Sequence, residues 1–232
     1  MKKLVYFFTA CFLLICFSRT VKAQAEVYVG SGLIGPPMKV TRYVNVIGSP
    51  YLFDEWYSGR VKTADGQSYK DLKLKYDQVL DEVSFRYGNE APMTFNSEVK
   101  AFSIFIFNVE GIESEVNFVN GFEPIDGSTK KSYFQVFDPG AHHKIEFVKR
   151  TVKKIYENRV YNSATTENLV DEKSYYYLLI DQKLNRIKKN VNDVLKYMGD
   201  HEAEVQKYIS ESGFKFKKDI DFENLVRYYN TL

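Results

Sequence analysis

Three aromatic side chains, Tyr51, Trp56 and Tyr57, cluster around the acidic pair Asp54-Glu55. The apolar face of an exposed aromatic ring can hold a sugar ring or an apolar ligand, whereas a buried ring contributes only to the core. The sequence leaves both interpretations open at this point. As a candidate ligand-binding site we therefore predict Tyr51, Trp56 and Tyr57.

Carboxylates occur in adjacent pairs at three places, and a sugar-cleaving enzyme needs two acids with opposed roles. The pairs are Asp54-Glu55, Asp81-Glu82 and Asp171-Glu172. Such pairs are common in loops, and the sequence lacks the Gly-x-Ser-x-Gly motif that exposes a nucleophilic serine. We predict no catalytic residue, and keep a glycan-active hydrolase that uses paired carboxylates as an alternative.

The histidines do not form a pattern typical of metal sites. There are three of them, His142, His143 and His201. Adjacent residues of a strand point to opposite faces, so His142 and His143 are poorly placed to bind one ion, even with Asp138 four residues earlier. We predict neither a metal site nor a cofactor.

The first 23 residues have the pattern of a secretory signal peptide. Lys2 and Lys3 precede an apolar stretch over residues 4–17, and small residues allow cleavage after Ala23 or Ala25. The apolar stretch is shorter than the roughly 20 residues that span a bilayer, so we predict no transmembrane span once the signal is removed. The sequence therefore predicts an exported protein of the periplasm or cell envelope, with secretion as an alternative.

The amino-acid composition argues against a disulfide-stabilised fold and against a nucleic-acid partner. Both cysteines, Cys11 and Cys16, lie in the predicted signal peptide, so the mature chain would have no disulfide. The 18 Phe and 18 Tyr residues supply an ample aromatic core. Lys and Arg total 32 against 30 Asp and Glu, a balance that argues against a nucleic-acid partner.

Hydrophobic periodicity divides the remaining chain into three segments. Residues 24–39 are rich in Gly and Pro and predict a lead-in loop. Residues 40–189 alternate with period two and predict an antiparallel β domain, with a hairpin over residues 56–76 and a central strand, covered on both faces, over residues 99–109. Residues 190–232 carry apolar stripes of helical period and predict a helical C-terminal segment.

The fold class that these segments predict is α+β. We expect a large, mostly antiparallel sheet, curved into a sandwich or a partial barrel and followed by the short helical segment.

Two stretches of the sequence carry a resemblance to a known group of proteins. They are the run from Gly48 through Ser49, Pro50 and Tyr51 to Leu52 with Trp56 beyond it, and the tail from Asp193 to Asn230. Both resemble an uncharacterised family of exported envelope proteins of Gram-negative bacteria, which has no assigned activity. The resemblance implies residence in the envelope, and it brings no functional residue with it.

These observations together favour an exported, non-catalytic binding or interaction module. An envelope protein, a glycan and an apolar small molecule all remain open as its partner. A carrier that holds an apolar ligand in a half-barrel cavity is the first alternative, and the hydrolase with paired carboxylates is the second.

Overall fold

The structure is a computed structural model that describes residues 33–39, 42–107, 113–140, 143–159 and 166–232. The strands in these residues are β1 (Ile34–Pro37), β2 (Val46–Ile47), β3 (Tyr57–Thr63), β4 (Ser68–Asp77), β5 (Glu82–Arg86), β6 (Met93–Phe95), β7 (Val99–Phe107), β8 (Glu113–Val119), β9 (Phe134–Val136), β10 (Glu146–Arg159), β11 (Thr166–Ile180) and β12 (Lys183–Ile187). The helices are α1 (Val191–Leu195), α2 (Glu202–Ser212) and α3 (Asp219–Tyr229), with a 3-10 turn at Gly199–His201. The predicted signal peptide, both cysteines and His142 lie outside the described residues.

All the described strands belong to one sheet. Its order is β1-β6-β5-β4-β3-β7-β8-β9-β10-β11-β12, and β2 pairs with β11 beside this path. The β2–β11 pair is parallel, and every other strand pair in the described residues is antiparallel. The described chain is thus mostly β, with a large, mostly antiparallel, unclosed sheet and short C-terminal helices, which agrees with this part of the predicted fold class.

The hairpin predicted over residues 56–76 is confirmed by β3 and β4. Its loop is three residues long, because the Thr63 amide donates to the Gln67 carbonyl at 3.0 Å across residues 64–66. Gly66, with a φ of 83°, takes the left-handed position that closes such a loop. Alternation and the Asp-Gly pair were therefore sufficient to place this hairpin.

Aromatic rings fill the core on the inner side of β4, β7 and β8. Tyr76, Phe102, Phe118 and Tyr133 are each at most 7% exposed. The ring centroids of Phe102 and Phe118 lie 4.8 Å apart, and those of Tyr76 and Tyr133 lie 5.8 Å apart. These rings contact one another directly, so side chains occupy this part of the interior.

The sheet bends until the turn between β4 and β5 contacts β10, although β3, β7, β8 and β9 lie between β4 and β10 in strand order. The Lys153 amide donates to the Gln78 carbonyl at 3.1 Å. The Tyr133 amide donates to Asp81 Oδ1 at 3.2 Å, and Arg150 approaches Asp81 Oδ2 at 4.0 Å. Polar groups at less than a tenth of full exposure, among them Arg150 and Lys153, thus hold this bend together.

A second core joins the helices to β10, β11 and β12. The Phe147 ring stacks on Tyr176, at 5.9 Å between centroids, and on Phe222 of α3, at 5.6 Å. The predicted helical stripes are buried here, at Val194, Met198, Val205, Phe222, Leu225, Val226 and Tyr229. Amphipathic helices therefore cover this part of the sheet, as their 3.6-residue period predicted.

The structure differs from the sequence prediction at β1, which lies inside the segment expected to be a loop. Pro36 and Pro37 are tolerated because β1 is an edge strand, where one side needs no backbone donors. A Cβ atom on Gly35 would lie 2.8 Å from the Thr94 carbonyl oxygen, so glycine allows the close approach to β6. The residue types that suggested a loop thus serve an edge strand.

The central position predicted for residues 99–109 agrees with β7, which lies between β3 and β8. Its cover is incomplete, however. Phe102 and Ile104 are buried, whereas Phe107 on the opposite face is 59% exposed. The expectation of two covered faces was therefore wrong at the end of this strand.

Asp219, at the start of α3, ties this helix to the sheet through two lysines. Lys149 Nζ lies 2.8 Å from Asp219 Oδ2, and Lys189 Nζ lies 2.5 Å from Oδ1. Burial alone would raise the pKa of Asp219, but the two lysines outweigh burial and hold this pKa below its usual value. A carboxyl with a lowered pKa stabilises the fold above its unfolded pKa, about 3.9, and this contribution is lost as the pH falls through the folded pKa.

Asp219→Asn is therefore expected to lower the free energy of unfolding at pH 7 by about 1 kcal/mol, because two half-buried ammonium groups lose their counter-ion. Its stability should also fall less than that of the wild type as the pH drops from about 5 to about 2. Urea unfolding at several pH values measures both effects. Glu211→Gln, at an exposed carboxylate, is the control, and parallel pH profiles for wild type and Asp219→Asn would contradict this role.

Candidate binding surface

The structure brings two of the three predicted site residues together. Tyr51 is joined to β4 by an isolated bridge to Asp77, and Trp56 immediately precedes β3. Both rings face the side chain of Lys75 in β4. Tyr57 is separated from them, because it packs against Phe53, at 5.0 Å between ring centroids, and against the first core.

Two cations lie against these rings. Lys75 Nζ is 4.3 Å from the ring centre of Tyr51 and 5.6 Å from that of Trp56. The Arg86 guanidinium carbon lies 5.3 Å from the ring centre of Trp56. Such distances allow cation–π attraction, which favours the observed positions of the two cations against the two rings.

The charges of this unit are only partly compensated. Lys75 Nζ donates to the backbone carbonyl of Asp54, and Arg86 Nε is buried without a hydrogen-bond partner. Burial lowers the pKa of Lys75, Asp54 and Glu55 oppose this, and Arg86 adds to it. The surface therefore presents positive charge beside the exposed carboxylates of Asp54 and Glu55, and no ion pair in the described residues joins either cation to a carboxylate.

Strand geometry extends the positive charge along one face of the sheet. Lys73 lies on the same face of β4 as Lys75, pairs with Arg86 in β5 and donates to Ser58 Oγ at 2.9 Å. We call Tyr51, Trp56, Lys73, Lys75 and Arg86 the aromatic-basic surface. All five are partly exposed.

The loop that carries Tyr51 is fixed from several sides. The Leu52 amide donates to the Tyr76 carbonyl at 2.9 Å. Lys153 Nζ, from β10, donates to the carbonyls of Ser49, at 3.1 Å, and of Tyr51, at 2.6 Å. The aromatic-basic surface is thus held by the same bend that brings β10 to the β4–β5 turn.

Comparisons with known proteins give no further guide to this surface. No protein-family model, curated protein or solved structure matches the chain. In the described residues, no helix has the length and apolar character to cross a membrane. No group of three or more His, Cys, Asp or Glu side chains among these residues is arranged to hold a metal ion.

The three carboxylate pairs do not share one structural setting. Asp54 and Glu55 are exposed beside Trp56, whereas Asp171 and Glu172 belong to β11. Asp81 accepts hydrogen bonds from the Tyr76 hydroxyl, at 2.6 Å, and from the Tyr133 amide, which gives it a structural role. Glu172 also lies 3.6 Å from Lys153 Nζ, which contacts the loop that precedes Asp54, and the hydrolase with paired carboxylates stays an alternative.

Sequence reasoning identified the rings of this surface and missed its cations. Lys73 and Lys75 alternate with buried Leu72, Leu74 and Tyr76, which is the usual pattern of a solvated strand face. Arg86 follows buried Phe85 at the end of β5. The register that the hairpin loop sets would place residue 74 opposite residue 56. Lys75 comes beside Trp56 because the register shifts between Gly59 and Val61, which the sequence does not reveal.

Proposed function

We propose that this protein is an exported, non-catalytic binding module of the cell envelope that holds an acidic glycan on the aromatic-basic surface. The observation that carries the proposal is the placement of Lys75 and Arg86 against the rings of Tyr51 and Trp56. Cations would neutralise the carboxylates of such a glycan, and the apolar ring surface would contact its sugar rings. The signal-like leader supports residence outside the cytoplasm.

The form of the sheet supports a scaffold for surface recognition. As part of this proposal, the bend between β4 and β10 makes the sheet a partial barrel, with its interior filled by Tyr76, Phe102, Phe118 and Tyr133. The carrier alternative needs an apolar cavity in that interior, where these rings instead contact one another. Packing of this kind favours a ligand held on the outer face.

The proposal is tested with the purified protein and Lys75→Met, which keeps most of the aliphatic stem and removes the charge. Trp56 is the chain's sole tryptophan, so its fluorescence reports on this surface alone. Titration with a galacturonic acid hexamer should change Trp56 emission in the wild type, and the affinity should weaken at high salt. Lys75→Met should bind about tenfold more weakly, which corresponds to about 1.4 kcal/mol.

Lys154→Met is the matched control, because Lys154 is an exposed lysine of β10 on the same sheet. It should bind the acidic hexamer as the wild type does. Neutral maltohexaose should bind much more weakly than the acidic hexamer to all three proteins. Equal affinity of the wild type and Lys75→Met for the acidic hexamer, or equal affinity for the two sugars, would overturn the proposal.

A further inference from the structure

A groove of about 470 Å³ opens on the other half of the sheet, away from the aromatic-basic surface. Phe122, Val136 and Leu179 form apolar walls, and Asn120, Glu146 and Gln182 contribute polar groups. Such a volume lies within the range of pockets that take small molecules. Its walls combine apolar and polar surface, and the apolar part is the larger of the two.

Glu146 places a carboxylate on a mainly apolar row of side chains. It pairs with Leu179 and lies on the same face of β10 as the buried Val148. Burial raises the pKa of Glu146, His143 opposes this, and Asp138 adds to it. Within the described residues neither a lysine nor an arginine forms an ion pair with Glu146, and His143 is the basic side chain that acts on its pKa, so a cationic ligand would add a counter-ion to this carboxylate.

Gln182 is the second residue of the groove wall with a polar side chain that a ligand could contact. The side chain of Asn120 is engaged in the first core, where its Nδ2 donates to the Val99 carbonyl at 2.8 Å beside the Tyr133 hydroxyl. Gln182 has a φ of 62° in the two-residue turn between β11 and β12, where glycine or asparagine is favoured. The groove wall therefore presents the Gln182 amide from a backbone position that disfavours glutamine.

We infer that this groove is a second binding site, for a small molecule that carries an ammonium group on an apolar body. The ammonium group would pair with the Glu146 carboxylate at the groove wall, and the apolar body would contact Phe122, Val136 and Leu179. An ion pair partly shielded from water is stronger than one in bulk solvent, so Glu146 would set the preference for cations. This site is independent of the proposed glycan surface and prefers the opposite charge.

The test is calorimetric titration of the full chain with phenethylammonium, with 3-phenylpropionate as a probe of similar shape and opposite charge. We expect the wild type to bind phenethylammonium, with at least tenfold preference over 3-phenylpropionate. Glu146→Gln conserves the shape of the side chain and should weaken phenethylammonium binding about tenfold. Gln182→Gly removes the amide, suits the turn and should weaken binding about threefold.

Two controls separate this site from general charge effects and from the glycan surface. Asp171→Asn, at an exposed carboxylate of β11, should bind phenethylammonium as the wild type does. Lys75→Met should also bind it normally, even if its glycan binding is lost. Equal affinity of the wild type and Glu146→Gln, or equal affinity for the two probes, would overturn the inference, as would a wild type that binds neither probe.

Discussion

Gly59→Ala is expected to destabilise the protein by about 3 kcal/mol or more, which is the upper range for overpacking a core. A Cβ atom at this position would overlap the carbonyl oxygen of Ser103 and lie 2.6 Å from Leu74 Cδ1. Gly59 pairs with Leu72 in β4 and with Ile104 in β7, so the backbone is held on both sides. Movement that relieved the overlap would disrupt the strand pairing in the middle of the sheet.

Urea unfolding followed by circular dichroism measures this effect. Gly199→Ala is the matched control, because a Cβ atom there has no neighbour within 4 Å, and its stability should stay within about 0.5 kcal/mol of the wild type. Gly59→Ala should unfold at a much lower urea concentration or fail to accumulate as folded protein. Unfolding midpoints that coincide for the two variants would show that β3 and β7 can separate more easily than their register indicates.

Local patterns in the sequence were sufficient for the elements whose contacts are local. The β3–β4 hairpin depends on alternation around Asp65-Gly66, and its partners are neighbours in the chain. The C-terminal helices depend on stripes such as Val194 with Met198, and those residues are buried as the period predicted. In both cases the spacing of the apolar residues was enough to predict which face of the element is buried.

The bend of the sheet could not be predicted from local patterns, because its contacts join residues that are far apart in the sequence and have no periodic spacing. Gln78 and Asp81 meet Arg150 and Lys153, and all four look like solvent-facing residues in the sequence. Arg150 and Lys153 are only 8% and 7% exposed. A buried charge is recognised by its partners, and the sequence does not reveal which residues those partners are.

In the aromatic-basic surface, too, the local contacts could be predicted from the sequence and the contacts between distant residues could not. The cluster of Tyr51 and Trp56 is visible in the sequence, and its members do lie near one another because the loop between them is short. Whether the rings face solvent or the core depends on Lys75 and Arg86, which come from two later strands. Tyr57 adjoins Trp56 in the sequence, yet strand alternation turns it toward the core side.

Lys153→Met is expected to lower the free energy of unfolding by about 2 kcal/mol, because two partly buried carbonyls lose a charged donor. The side chain is 9% exposed, and Nζ donates to the carbonyls of Ser49 and Tyr51 while lying 3.6 Å from Glu172. Exchanging a buried ion pair for apolar groups can be neutral when both partners are replaced. Here the acceptors belong to the backbone and stay in place, so their desolvation is left uncompensated.

The same substitution should disturb the aromatic-basic surface from a distance. Without the ammonium group, the loop that carries Tyr51 loses its attachment to β10, and Tyr51 loses its position over Lys75. Trp56 emission should shift toward longer wavelength as the loop opens to water, even in buffer where circular dichroism shows that the protein stays folded.

Lys154→Met, at the exposed neighbour of Lys153 in β10, is the control and should change neither the urea midpoint nor the emission. If Lys153→Met also leaves both unchanged, the loop is held by its contacts with β4, such as the Leu52 amide on the Tyr76 carbonyl, and the bend does not position the binding surface.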